Sequence, residues 1–259
     1  MNNFVSKLSG ISLKKDESAV FWAGQAGIII KTVSILLGAD IYLSNDCAVG
    51  GGYRKAPPLF EPSDIKFDAL FVTHFHRDHF DATSMPALTA SPDTAVYTAR
   101  DCAEKNREAG LEGRSVYLDK GAIYDVCGDI TVHAVDCDHG TQTLDAVGLV
   151  FQVPGGSVYM TSDTVLNPDI AKTAAKFLPT VMFVPINGDY GNMTEEEAAD
   201  YAAIVKPAIT VPCHYGTLAT NHGDTEIFKS EMGRVGLATA VLRPGEGIIL
   251  SEGGLSFIR

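Results

Sequence analysis

The chain has 259 residues, 46% of them hydrophobic, which is enough to bury a substantial core and too apolar for disorder. Twenty Lys and Arg against 32 Asp and Glu give a formal charge of −12, and no Lys/Arg cluster offsets it, so nucleic acid and anionic membrane surfaces are disfavoured and a small-molecule substrate is expected. The five cysteines, Cys47, Cys102, Cys127, Cys137 and Cys213, are odd in number and lack CxxC spacing, which argues against a disulfide framework and a thiolate zinc site.

Residues 1–18 lack the uninterrupted apolar core of a signal peptide, and the apolar stretch 19–43 is broken by Gln25, Lys31 and Asp40, so a cytoplasmic chain without a membrane span is expected. Residues 19–22, 27–31 and 33–37 read as successive strands of a meander closed by residues 40–44. Residues 45–62, with Gly50, Gly51, Gly52, Pro57 and Pro58, read as a long loop that either lines a site or merely connects; without a following Gly-Lys-Ser/Thr the triple glycine is no phosphate loop. A short buried strand at 69–72 runs into a histidine cluster, and a helix is expected from 81 to 88. Strands follow at 95–98, 115–118, 130–135, 147–152, 158–161 and 181–186. Thr194 and Glu197 form a Thr-x-x-Glu capping box that opens a helix reaching Val205, which Pro207 stops. Residues 209–213 are a strand, and 238–242 with 247–250 read as a terminal hairpin turned at Pro244 and Gly245. No linker or repeat divides the sequence, so residues 1–259 read as one domain.

His74-Phe75-His76-Arg77-Asp78-His79 puts three of the seven histidines and a carboxylate within six residues, directly after an apolar strand. Imidazole and carboxylate suit borderline first-row ions such as zinc, manganese or iron. Alternation places His74 and His76 on one side of an extended segment, while a following turn can swing Asp78 and His79 toward a neighbouring position, so one motif can serve two ions. Further ligands must come from elsewhere. His139, Asp163 and His214 each follow the C-terminal end of an expected strand, where placement is rigid. Singly, they could equally be a loop histidine, a helix cap and a core residue; beside the cluster they complete a ligand set. His133, inside a strand, and His222, in a loop, are left without a role, and Asp136 or Asp138 could bond the second nitrogen of His139.

The string THFHRDHFD at 73–81 resembles the HxHxDH signature of the metallo-β-lactamase superfamily, with His139, Asp163 and His214 in the order that family uses. FWAGQAG at 21–27 and DIYLS at 40–44 resemble its opening hairpins, although Asp40-Ile41 stands where the family usually has Asp-Pro. Residues 186–216, INGDYGNMTEEEAADYAAIVKPAITVPCHYG, are similar to the L-ascorbate-6-phosphate lactonase-like branch. The resemblance covers the chain from about residue 19. It implies a mixed α/β fold, a four-layer αββα sandwich with its site at one edge of two sheets. It further implies that His74, His76 and His139 hold one divalent ion, that Asp78, His79 and His214 hold the other, and that Asp163 bridges them; the branch points to manganese, with zinc as the alternative.

Two such ions, about 3.5–4 Å apart, would generate a bridging hydroxide and polarise the scissile oxygen, with Asp78 and Asp163 as the carboxylates of the reaction. The absence of a GxSxG elbow agrees with a reaction that needs no covalent nucleophile. The expected activity is hydrolysis of a carboxylic ester, above all a sugar lactone with or without phosphate. The alternative is a phosphodiesterase acting on a small phosphodiester such as a cyclic nucleotide. A di-iron redox relative is disfavoured by His76 in place of Glu, and a metal-free scaffold by the full ligand set. Arg77, Tyr190, Asn192 and Tyr215, beside the expected ligands, either orient a polar, anionic substrate or hydrogen-bond the ligands from behind. A homo-oligomer is left open.

Overall fold

A computed structural model of the chain describes residues 3–128, 130–141 and 143–259, and the side chain of Cys127 lies outside the described residues. Strand β1 (Ser18–Gly24) is buried on both faces, which is why SAVFWAG runs apolar without alternation. It turns through Gly24 and Gln25, both at positive φ, into β2 (Gly27–Lys31). Gly27 has no room for a side chain, because a Cβ there would lie 2.9 Å from the Asp40 carbonyl oxygen. β3 (Leu36–Ala39) pairs antiparallel with β2, after which β4 (Ala69–Val72), β5 (Ala95–Ala99) and β6 (Ser115–Leu118) add in parallel. A hairpin of β13 (Gly247–Ser251) and β14 (Gly254–Ile258) completes the sheet on the far side of β1, in the order β14-β13-β1-β2-β3-β4-β5-β6.

The second sheet contains β7 (Ile123–Cys127), β8 (Ile130–Asp136), β9 (Val147–Val153), β10 (Gly156–Met160), β11 (Val181–Pro185) and β12 (Ile209–Cys213), ordered β12-β11-β10-β9-β8-β7. β9 is antiparallel to both β8 and β10, and β10, β11 and β12 are mutually parallel. Hence β8, β10, β11 and β12 all point one way, and the segments that leave their C-terminal ends gather on one margin. The parallel pair β3 and β4 delivers Asp40 and Thr73 to that same margin, where Ser162 Oγ donates to Thr73 Oγ1 at 2.7 Å across the two sheets.

Between the sheets lies a core that includes Trp22, Ile28, Phe71, Leu149, Phe151 and Phe183. Phe71 stacks on Tyr97 at 4.8 Å within its own sheet and meets Phe151 of the other sheet edge-on at 5.2 Å. The outer face of the first sheet is covered by α1 (Asn3–Gly10), through Phe4 and Leu8, and by α2 (Met85–Leu88) and α3 (Ala103–Glu108) with their flanking turns. α4 (Pro168–Ala175), α5 (Glu195–Val205) and α6 (Thr225–Arg234) cover the second sheet. This is the four-layer αββα sandwich of the metallo-β-lactamase type. Among the described residues, no helix is long and apolar enough to cross a membrane.

The capping box at α5 has both reciprocal bonds, Glu197 N–H to Thr194 Oγ1 at 3.3 Å and Thr194 N–H to the Glu197 carboxylate at 2.9 Å. Three expectations are corrected. The strand read at 33–37 starts only at Leu36, because Thr32 Oγ1 accepts the Ser34 and Ile35 N–H groups and draws 33–35 into a turn. The helix read at 81–88 starts at Met85: the Asp81 carboxylate accepts from Leu43, Ser44 and Ser84 N–H groups and holds the preceding turns. Residues 238–242 form no hairpin strand. Only an isolated bridge, Thr239 to Thr210, ties them to β12, and the terminal hairpin is β13 with β14.

Two stability outcomes follow from this packing. Phe71→Ala removes the ring that joins the sheets and should cost about 3–5 kcal/mol in urea unfolding. Asp101 has a buried Oδ2 without a hydrogen-bond partner, and burial, reinforced by Asp145, pushes its pKa up to about 6. Its native form therefore holds a proton that the unfolded chain releases near pH 4, so stability falls as pH rises from about 4 to 6. Asp101→Asn should raise the unfolding free energy by about 1 kcal/mol at pH 7.5, allowing for partial exposure, and by nothing measurable at pH 3.5.

Candidate metal centre

The margin where the strand ends converge gathers all seven residues singled out by the sequence. His74, His76, Asp78 and His79 leave β4, His139 follows β8, Asp163 follows β10 and His214 follows β12. Their donor atoms fall into two groups, one of His74, His76, His139 and Asp163 and one of Asp78, His79 and His214, each with all its atoms within 4.8 Å of one another. In the first group, His76 Nδ1 lies 3.0 Å from His74 Nε2 and 3.1 Å from His139 Nε2. In the second, His214 Nε2 lies 3.1 Å from Asp78 Oδ2 and 3.4 Å from His79 Nε2. Asp163 stands between them: Oδ1 is 3.3 Å from His79 Nε2, and Oδ2 is 3.2 Å from His214 Nε2 and 3.6 Å from His139 Nε2.

These spacings fit a cation. Donors bonded at about 2.0–2.2 Å to one ion lie roughly 3.0–3.5 Å apart, as most of these do. Asp163 Oδ1 is buried without a hydrogen-bond partner, an arrangement that is costly unless a cation or proton meets it. The donor set, five imidazoles and two carboxylates with no thiolate, suits zinc, manganese or iron.

At His74, His79, His139 and His214 the outward-facing Nδ1 meets a polar group from behind, which turns Nε2 toward the centre, whereas His76 presents Nδ1. His79 Nδ1 lies 2.6 Å from Asp40 Oδ2, and Asp40 also accepts Thr73 N–H and O–H. Having given its proton to Asp40, the Thr73 oxygen accepts from His74 Nδ1 at 3.1 Å. His214 Nδ1 reaches Asn187 Oδ1 at 3.1 Å, with Asn221 Nδ2 at 2.9 Å. His139 Nδ1 faces the Gly191 carbonyl at 3.4 Å, so the partner proposed for it among Asp136 and Asp138 is corrected: the Asp138 carboxylate instead meets Asn167 Nδ2. Gln25 Nε2 donates to Asp78 Oδ2 at 2.8 Å.

Asp40, Gln25, Asn187 and Asn221 were not singled out as site residues in the sequence. Their partners lie 7 to 53 positions away, and no local spacing announces them. A different signal is conformational. Of the seven described non-glycine residues at positive φ, five are at or beside this centre: Gln25, Asp40, Ser162, Tyr190 and His214.

Burial dominates the electrostatics. It holds His74 well below the usual imidazole range and brings His76 down to about 4, with the neighbouring His79 adding to both. For His79, burial alone would lower the pKa, but Asp163, Asp40 and Asp78 together raise it. Burial would likewise raise Asp78 and Asp163, and the facing imidazoles of His79 and His214 overcome it and keep both carboxylates below their ordinary value.

A cavity of about 530 Å³ opens onto the cluster, with Arg77 and Tyr190 in its wall. Asn192 is buried behind it, its side-chain oxygen accepting Thr164 N–H at 3.0 Å, and Tyr215 is half-buried and stacked on Trp22 at 5.3 Å. His133 packs on Phe177 at 4.6 Å, and exposed His222 lies 3.6 Å from Asp189. Among cysteines with described side chains, Cys47, Cys102, Cys137 and Cys213 are free thiols.

Asp40→Asn removes the acceptor that fixes His79 and should weaken manganese or zinc binding about 10–100-fold by calorimetric titration, with the far-UV spectrum unchanged. Chelator treatment of metal-loaded protein should lower its unfolding temperature by several degrees.

A model of the "Beta-lactamase superfamily domain" matches residues 44–215. A UPF0173 metal-dependent hydrolase of Methanopyrus kandleri is 27% identical over 239 residues, covering 88% of this chain and 97% of that protein. Another, from Thermoplasma acidophilum, is 30% identical over 182 residues, covering 68% and 78%. Among solved structures, Igni18, a metallo hydrolase of the archaeon Ignicoccus hospitalis, superposes with a TM-score of 0.73 at 20% identity over 91% of this chain and 99% of that one. With a domain match over more than half its length, two sheets in the matching fold and these relatives, the chain belongs to the beta-lactamase superfamily and, within it, to the UPF0173 family.

Proposed function

We propose that this protein is a metal-dependent hydrolase that opens a lactone or carboxylic ester, a small sugar lactone with or without phosphate being the favoured substrate. The observation that carries the reading is the convergence of seven donors, five His and two Asp, of which His76, Asp78, His139, Asp163 and His214 line a cavity of small-molecule size. The relatives named as metal-dependent hydrolases support the reaction type. The lactone branch is supported by the segment 186–216, whose likeness to the ascorbate-6-phosphate lactonase-like proteins falls on residues that build the site: Asn187, Tyr190, the Gly191 carbonyl and His214.

In this proposal His74, His76 and His139 would hold one ion and Asp78, His79 and His214 a second, with Asp163 available to both, and manganese is favoured over zinc. When bound, such ions lower the pKa of water toward neutrality and polarise a carbonyl oxygen. The remaining work falls to the chain. Asp78 and Asp163, kept anionic by the imidazoles around them, serve as ligands and accept rather than donate hydrogen bonds. Gln25 donates to Asp78 Oδ2, the oxygen that also faces His214, and so steadies that carboxylate. Phe75 and Leu218 wall the cavity with apolar surface, and Tyr190 brings a hydroxyl to its rim.

The test is a panel of sugar lactones, free and phosphorylated, beside small phosphodiesters, assayed with metal-replete protein and with His76→Ala. Lactone opening that falls at least about 100-fold in the variant is the expected result. Phosphodiester cleavage without lactone opening would reject the substrate class and leave the phosphodiesterase alternative.

A further inference from the structure

Outside the seven-residue cluster, the charged side chains that line the cavity are Arg77 and Lys105, and both are cationic. That bias runs against the chain as a whole, whose net charge is −12. Among the described residues, neither cation has a carboxylate within ion-pair distance. Glu104, the residue before Lys105, is directed to Arg107 at 3.4 Å, and Asp101, Glu104 and Glu108 line, with Phe75 and Lys105, a second depression.

Lys105 is also held in place. Asn106, the next residue on α3, bonds Thr98 of β5 through Nδ2 to Oγ1 at 2.7 Å, which pins the helix to the sheet. The Lys105 ammonium lies 5.6 Å from the centre of the Phe80 ring. Phe80 is fully buried, and its N–H bonds the His76 carbonyl at 2.7 Å, so the lysine is seated on the same turn that presents the cluster. A single divalent cation would balance Asp78 and Asp163, and any further cation would add to the positive charge of Arg77 and Lys105. With a cation held by the cluster, the apolar-walled cavity would be net positive, and such a cavity concentrates anions.

We infer that Arg77 and Lys105 form an anion subsite that binds a phosphate or carboxylate group of the substrate, which narrows the substrate class to anionic small molecules. The inference uses the proposed hydrolysis to name the substrate as an anionic lactone or ester, but binding itself can be tested without turnover.

Calorimetric titration of metal-replete protein with glucose, gluconate and 6-phosphogluconate separates the sources of the anion. An increase in affinity of about tenfold or more from glucose to gluconate marks the carboxylate, and one from gluconate to 6-phosphogluconate marks the phosphate. In Lys105→Gln and Arg77→Gln the ratio that wild type shows should fall toward one, and Lys105→Arg should restore most of it. In any hydrolytic assay the loss should appear in KM for anionic substrates rather than in kcat. Equal affinity for the three compounds, no binding of any, or a ratio unchanged in both glutamine variants overturns the subsite. Lactone opening with no preference for anionic lactones would overturn it while leaving the proposed reaction standing; anion binding without lactone opening would do the reverse.

Discussion

Everything at the functional margin depends on one electrostatic constraint. Five imidazoles and two carboxylates, most of them buried, face one another at distances of 3.0–3.9 Å. Removing such groups from water is expensive, and a half-satisfied polar network is worse than an apolar core. The protein meets part of that cost with hydrogen bonds from behind the imidazoles, through Asp40, Thr73, Asn187 and Asn221, and with one from Gln25 to Asp78, and these leave the inward imidazole nitrogens and Asp163 Oδ1 unmet. Inward lone pairs held at the spacing of a coordination shell are what a divalent cation would satisfy, and the proposed function follows from that match.

Topology makes the constraint attainable. Because β8, β10, β11 and β12 run in one direction, four separate stretches of chain deliver residues to one margin, and β3 and β4 deliver Asp40 and the histidine motif opposite them. The backbone is distorted where it must re-aim a side chain: Asp40 and His214 sit at positive φ immediately beyond strand ends, and Ser162 two residues beyond one. The thick apolar core between the sheets holds these distortions, and Phe71, one residue before Val72 at the end of β4, links that core to the motif.

Much of the site was legible in the sequence because chemistry and location coincided. A run of three imidazoles and a carboxylate is rare, and His139, Asp163 and His214 each stood just past an apolar run, so residue type and strand end pointed the same way. The supporting groups were not legible for the opposite reason. Gln25 sits in the turn of the β1–β2 hairpin, Asp40 at the start of the crossover from β3 to β4, and Asn187 and Asn221 are ordinary loop amides; only the fold shows what they touch. In the fold, buried strands other than β3 lie within a residue or two of the apolar runs that mark them, whereas the exposed β14 and the short helices α2 and α3 carry little periodic signal. The segment 33–37 was misplaced because a threonine side chain, invisible to hydropathy, captured two backbone N–H groups. Lys105 has no signal in the sequence, because a lone lysine on a six-residue helix reads as solvated and only the fold places it in the cavity wall.

The most direct test of the central claim is anomalous X-ray diffraction from crystals of the protein incubated with manganese or zinc, collected at the metal's absorption edge. The account calls for two peaks, one among His74, His76 and His139 and one among Asp78, His79 and His214, with Asp163 within bonding distance of both. Ordered side chains at these positions with no anomalous signal in either group would contradict it.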